Sequence, residues 1–263
     1  MRKTYPTDLT DAEWNRLKSC FTRSKLRRRP RVHGLREIFN AIFYVVRSGC
    51  AWRLLPSDFA PWQTVYYHFR RLRLDGLWHL ILKALRKTTR QQAGKHPEPS
   101  AAIMDAQSIK TTVESARYSG YDGHKKVKGR KRHLLVDTLG LPISVYVSPA
   151  DTQDRLGARC LLAEHKPLMP RLQKIWADGA YSGGELARWS REKGNWELEI
   201  AERVEDAEGF EIVPHRWVVE RSFGWLLRNR RLSKDYERKV QGSEAFIEIA
   251  MIRLMLKRLV RGA

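Results

Sequence analysis

Between residues 90 and 100 the chain changes its hydrophobic period, and that change limits what it can fold into. Before it, apolar residues recur at helical spacing, as at Ile38, Ile42, Phe43, Val45 and Val46. After it come short apolar runs of strand length, at 101–105, 132–136, 142–147, 172–177 and 196–200. The stretch between is polar and carries Pro97 and Pro99. The pattern predicts a helical domain over 1–92, a linker over 93–100 and a second domain over 101–263.

Local signals place the elements. Thr10 with Glu13 three residues on is a capping box for a first helix. A basic run over 25–31, interrupted by Pro30, reads as a loop or arm. Gly49 suits the end of the helix over 35–48, and Pro61 the first turn of the next. In the second domain, Asp137 reads as a hairpin residue and Asp154 as the N-cap of a helix reaching His165. Further helices are expected over 185–192, from Pro214 through Arg216, Glu220 and Trp225, and over 244–260. Three strands followed by alternating helix and strand give an α/β fold, a mixed sheet flanked by helices.

Fifty Lys and Arg face 29 Asp and Glu, a formal charge of +21, while hydrophobic residues make up 42%. The chain has enough apolar side chains for a core, and a charge this large calls for a polyanion to neutralise it. Nucleic acid is the natural partner, with a membrane surface or plain solubility as the alternative. The three cysteines form no C-x-x-C pair, so neither a zinc site nor a disulfide framework is indicated. No apolar run resembles a signal peptide or a membrane span, so a cytoplasmic protein with no membrane partner is expected.

Phosphodiester chemistry on DNA needs an activated oxygen nucleophile and a stabilised leaving oxygen, which two divalent ions ~3.5–4 Å apart supply. Carboxylates from separate elements hold such ions. Asp105 and Asp178 each end an apolar strand, and Glu220 lies on a helix one turn after Arg216. Each also has an ordinary reading, as turn former or helix salt bridge, and Asp122, Asp137, Asp151 and Asp154 compete. Spacing does not choose among them.

Longer blocks do. The chain resembles transposases of the insertion-sequence-five family, a bacterial group of DDE transposases. The N-terminal blocks are Leu9-Thr10-Asp11-Ala12-Glu13-Trp14, the runs over 35–44 and 47–50, Trp52-Arg53-Leu54-Leu55-Pro56 and Pro61-Trp62-Gln63-Thr64-Val65-Tyr66. Those in the second domain are Asp105-Ala106-Gln107-Ser108, the run over 120–133, Trp176-Ala177-Asp178-Gly179-Ala180-Tyr181 and Arg216-Trp217-Val218-Val219-Glu220-Arg221. The runs over 228–232 and 235–237 follow. The resemblance implies an RNase H-like catalytic domain and dependence on two Mg²⁺ ions, with Mn²⁺ able to substitute. It also implies Asp105, Asp178 and Glu220 as catalytic and metal-holding acids. The wider superfamily has a tyrosine three residues before the arginine and a lysine seven after the glutamate. Here those positions are Val213 and Leu227, and Arg228 or Arg231 would take the place of the lysine.

Basic segments complete the expectation. Lys125, Lys126, Lys128, Arg130, Lys131 and Arg132 would line a groove and neutralise phosphates, with Arg216 beside Glu220; a solvated hairpin is the alternative. The helix from Pro61 resembles a recognition helix of a helix-turn-helix, with Gln63, Thr64, Arg70 and Arg71 toward DNA; the alternative is an amphipathic helix with a basic outer face. The expected activity is metal-dependent cleavage at the ends of an insertion sequence and transfer of the 3′ ends to target DNA. The protein would work as a homo-oligomer on paired terminal repeats, at the bacterial nucleoid. A regulator without catalysis, or a nuclease that cuts without joining, are the rival readings.

Overall fold

The computed structural model describes residues 2–20, 32–166, 169–201 and 216–262. The expected arm over 25–31, the first two positions of the helix expected from Pro214 and the motif position Val213 lie outside the described residues. The chain divides into two compact units. The first comprises Met1–Lys95, Leu227–Ser233 and Ala245–Ala263, the second His96–Leu226 and Lys234–Glu244.

The first unit is helical. Helix α1 (Asp11–Ser19) starts on the expected capping box: Glu13 N–H donates to Thr10 Oγ1 at 3.2 Å and Thr10 N–H to Glu13 Oε2 at 2.9 Å. Helix α2 (Leu35–Ser48) buries Ile38, Phe39, Ala41, Ile42, Phe43, Val45 and Val46, then stops at Gly49 in the left-handed region, φ 74°. A Cβ there would also meet Arg230 at 3.0 Å, so only glycine fits both the turn and the packing. Pro61 is the N-cap of α3 (Trp62–Leu74) rather than its first residue, and its carbonyl accepts from Thr64 and Val65. Helix α4 (Leu77–Gln92) buries Trp78, Ile81, Leu82 and Leu85. The first unit also takes most of the last helix, Val240–Arg261, which a linear division at 93–100 did not anticipate. Phe246 stacks on Phe69 with ring centres 4.9 Å apart, and Arg253 reaches Glu13 at 2.6 Å. Apolar spacing marks this segment as a helix but does not say which unit it packs into.

The second unit holds a six-stranded mixed sheet. Its strands are β1 (Ala101–Lys110), β2 (Gly120–Asp122), β3 (Val127–Asp137), β4 (Pro142–Pro149), β5 (Lys174–Ala177) and β6 (Glu197–Ile200). β1 is central, antiparallel to β3 and parallel to β5, which is parallel to β6; β4 and β2 pair antiparallel with β3. This is the RNase H-like arrangement expected of the second domain. Helices α5 (Asp154–His165) and α6 (Gly184–Gly194) contribute Ala158, Leu161, Leu162 and Leu186 to a core with Ala102, Met104, Leu135, Ile143, Ile175 and Ala177. Gly157 lets α5 approach β3, since a Cβ there would stand 2.1 Å from the buried His133 ring. Helix α7 (Arg216–Leu227) buries Val218, Val219, Phe223 and Leu226. It is fixed to the β3–β4 turn through Ser222 Oγ to Gly140 O (2.8 Å) and Arg221 to Leu139 O (3.1 Å). The last helix, α8 (Val240–Arg261), begins in this unit.

One local expectation holds and two change. Asp137 does fold the β3–β4 turn, accepting from the N–H of Leu139 and Leu141 at 2.9 Å each. Asp154 does not cap α5; Gln153 occupies that position and Asp154 binds Lys131 at 3.0 Å. β1 does not end at Asp105 but runs to Lys110, because β3 pairs with it from Ala102 through Lys110. Among the described residues no helix is long and apolar enough to cross a membrane.

Candidate active site

The sheet register brings Asp105 and Asp178 level. The last β1–β5 pairs are Ala102 with Ile175 and Ile103 with Trp176, so each aspartate follows its partner strand's last pair by two residues. Side chains alternate across a strand. Ala102, Met104, Ile175 and Ala177 enter the core beneath α5 and α6, which leaves Ile103, Asp105, Trp176 and Asp178 for the other face. There a small cleft is lined by Ile103, Asp105, Trp176, Asp178, Ala201 and Arg216. Asp105 thus sits mid-strand in β1, at the point where β5 ends.

Helix α7 supplies the remaining groups. The Arg216 guanidinium lies 3.7 Å from Asp178 Oδ2 and 3.2 Å from Glu220 Oε1, one helical turn on. The Asp178 side chain also accepts from Ala180 N–H at 3.0 Å, capping the short turn Gly179–Tyr181. Burial pushes the Asp105 carboxyl up to about 7; the Asp178 and Glu220 charges add to this, while the Ala106 N–H and Arg216 oppose it. Buried Tyr181 stands near the same charges, and burial, Asp105, Asp154 and Asp178 raise its phenol well above the usual value. Its hydroxyl has no hydrogen-bond partner among the described residues. The sequence block 176–181 contained Tyr181, but burial is not legible in a motif.

Among the described residues no three Asp, Glu, His or Cys side chains close on one point as metal ligands. Asp178 and Glu220 instead face Arg216. The donor set nevertheless suits a hard divalent cation. Carboxylate oxygens from separate elements gather at one cleft, and burial together with the neighbouring negative charges makes Asp105 hard to ionise, which a cation would offset.

The basic residues separate into exposed and buried groups. Lys125, Lys126 and Lys128 are exposed around the β2–β3 turn, which Asp122 holds by accepting from His124 N–H (3.1 Å) and Lys125 N–H (2.9 Å). Arg130, Lys131 and Arg132 are buried, and this corrects the expectation that they line a phosphate groove. The Arg130 guanidinium is fully enclosed and donates to Asp235, Ser243 and the Glu237 and Ser115 carbonyls. Lys131 lies 3.0 Å from Asp154 and 3.8 Å from Asp122. Arg231 is buried too, over the Phe246 ring and donating to Cys50 O at 3.2 Å, so it is unsuited to replace the motif lysine; Arg228 is exposed. On α3, Gln63, Arg70 and Arg71 are exposed and Thr64 half-buried, with Arg71 bound to Asp75 at 3.0 Å.

Residues 96–256 match the family described as "Transposase DDE domain", and residues 9–105 match one described as "Putative transposase of IS4/5 family". A Burkholderia cepacia protein named "Putative transposase for insertion sequence element IS402" is 27% identical over 128 residues. That similarity covers 46% of this chain and 60% of the relative.

Proposed function

The chain belongs to the transposase DDE domain family, and from that premise we propose that it cuts DNA at the ends of an insertion sequence and joins the freed 3′ ends to target DNA. The observation that carries this reading is the matched register of Asp105 and Asp178 on adjacent parallel strands, with Glu220 brought in through Arg216. Membership of the family implies dependence on a divalent metal. Asp105, Asp178 and Glu220 would hold the ions, two Mg²⁺ with Mn²⁺ able to substitute. Bound divalent ions supply the positive charge that activates an attacking oxygen and steadies a leaving one.

The chain's own groups have separate tasks. Asp105 and Asp178 present carboxylate oxygens from a rigid sheet, which keeps the scissile phosphate in one place. Arg216 is a phosphate contact beside those acids, and its planar donor fork suits two phosphate oxygens. In the first step water attacks phosphorus, the P–O3′ bond breaks, and the element gains a free 3′ hydroxyl. In the second, that hydroxyl loses its proton and attacks a target phosphorus; a new P–O3′ bond forms as the target's own 3′ oxygen leaves and takes up a proton. Lys125, Lys126, Lys128 and Arg228 contact backbone phosphates. Helix α3 reads the terminal repeat through Gln63, Thr64 and Arg70, with Arg71 beside them. The protein acts as a homo-oligomer on paired ends, in the bacterial cytoplasm at the nucleoid.

Asp105→Asn, Asp178→Asn and Glu220→Gln test the assignment, since each keeps side-chain size and removes the charge. Cleavage of an end-containing duplex should disappear in all three while DNA affinity stays near wild type. Wild-type cleavage by any one of them removes that residue from the set. A strand-transfer assay with a pre-cut end separates joining from cutting alone.

A further inference from the structure

A band of arginines on α5 and α6 lies outside every residue assigned so far. Arg155 and Arg159 are one turn apart on α5, and Arg188 and Arg191 are neighbours on α6. Arg155, Arg188 and Arg191 are exposed and Arg159 partly so. They line three clefts, two of which share Arg155. Arg155 lines one with His124, Lys125 and Ala180, beside the β2–β3 turn and the Asp178 loop. It also lines a second with Arg159 and Glu185, and Arg188 and Arg191 line a third with Gly184. The Arg155 guanidinium stands 3.1 Å from where a Cβ on Gly183 would be, so it lies against the segment leaving the Asp178 turn.

The charges along this band are unequal. Glu185 and Glu192 are the carboxylates of the two arginine-lined clefts, against four guanidinium groups. Glu185 accepts from Arg159 at 2.6 Å. That bond, with the charges of Arg159, Arg155 and Arg188, holds its carboxyl below the usual range. One carboxylate therefore already answers to three arginines, and the excess positive charge faces solvent. In the first cleft Asp151 is an exposed opposing acid, whereas Asp122 and Asp154 are bound to Lys131. A compact anion would occupy one cleft; guanidinium groups spread over α5 and α6, with Glu185 between them, fit a linear polyanion with regularly spaced phosphates.

We propose that Arg155, Arg159, Arg188 and Arg191 form a track for the backbone of duplex DNA, running from the β2–β3 turn past the Asp178 loop and across α5 and α6. The choice of DNA as partner rests on the transposase reading. The contacts are to phosphate, so the track adds affinity and orientation without sequence preference.

The test is the salt dependence of binding by the full chain, measured by fluorescence anisotropy on a random-sequence duplex and on one carrying an element end. Each lost phosphate contact reduces the slope of log affinity against log salt by about 0.9. Combining Arg155→Ala, Arg188→Ala and Arg191→Ala should flatten it by roughly 2–3 on both duplexes. The corresponding triple lysine variant, which keeps the charges, should retain most of the slope. If the triple alanine variant fails to fold, Arg191→Ala alone reads the same effect at about one contact. An unchanged slope in a folded variant overturns the track, and so does a change confined to one of the two duplexes. Binding needs no cleavage, so the measurement stands apart from the acids: loss of slope in a protein that never cuts would keep the track and sink the catalytic assignment. Normal cutting with an unchanged slope would do the reverse.

Discussion

Arg130 and Lys125 belong to one basic run, yet burial makes them different kinds of residue. Lys125 is exposed at a turn; Arg130 is enclosed and bound to Asp235, itself buried, at 3.1 Å. Removing one partner of a buried pair strands the other, at a cost of about 3–5 kcal/mol, while an exposed lysine contributes within about 0.5 kcal/mol. Arg130→Ala should therefore shift the urea unfolding midpoint strongly and Lys125→Ala hardly at all; equal midpoints would contradict the buried network. His133 extends the same logic to pH. Burial lowers its imidazole to about 3, with the Lys131 charge adding to the shift. The unfolded chain takes up that proton near pH ~6.5 and the folded chain does not. Stability from this group is thus full above pH ~6.5 and is lost as pH falls toward 3, by up to about 1.4 kcal/mol per pH unit. A folded His133→Asn variant should lose stability less steeply across that window, and an identical slope would show that His133 protonates freely in the fold. Charge was legible in the sequence for both residues. Burial was not, because it depends on β4, α5 and the segment near Asp235, all distant along the chain.

Elements were legible where their signals are local. The capping box at Thr10, the left-handed Gly49 and the Asp137 turn each depend on a few neighbouring residues, and the structure shows all three. Strand ends were not. Gln107 and Ser108 lie beyond the apolar run at 101–105, but they pair with Arg132 and Lys131 of β3, and this pairing carries the strand past Asp105. The site's register depends on such pairings, so the sequence offered Asp105, Asp178 and Glu220 as candidates and only the family resemblance selected them. Helix α3 exposes Gln63, Tyr67 and Arg70 on one side while Val65, Phe69 and Leu72 pack inward. Arg71 is already bound to Asp75, leaving Arg70 as the better base-reading side chain of the two. Arg70→Ala should cost about 1–3 kcal/mol of binding on the correct element end and much less on random DNA. Equal losses on both would reduce α3 to a phosphate clamp.

At the scale of the whole chain, the first unit is not contiguous in sequence, and this decides how a fragment behaves. Residues 1–95 contain α1 to α4 but lack the partners that Ala245–Ala263 provides within that unit. Phe246 stacks on Phe69 at 4.9 Å and lies 5.9 Å from the Trp52 ring. Glu248 binds His79 at 2.9 Å. Arg253 reaches Glu13 at 2.6 Å and sits over the Phe43 ring. Each buried side chain of that helix, such as Phe246, Ile249, Met255 or Leu256, forfeits about 1.5–3 kcal/mol when it is removed. A small domain has only about 5–15 kcal/mol to lose in total, so these few contacts consume most of it. The isolated 1–95 fragment should therefore unfold without a cooperative thermal transition and bind element ends weakly, despite carrying α3 intact. Joining residues 245–263 to it through a flexible Gly/Ser linker should restore a cooperative transition seen by circular dichroism. In that linked form, Phe246→Ala together with Arg253→Ala should abolish it again. Cooperative unfolding of the 1–95 fragment alone would show that the C-terminal helix is packed onto a domain already complete without it.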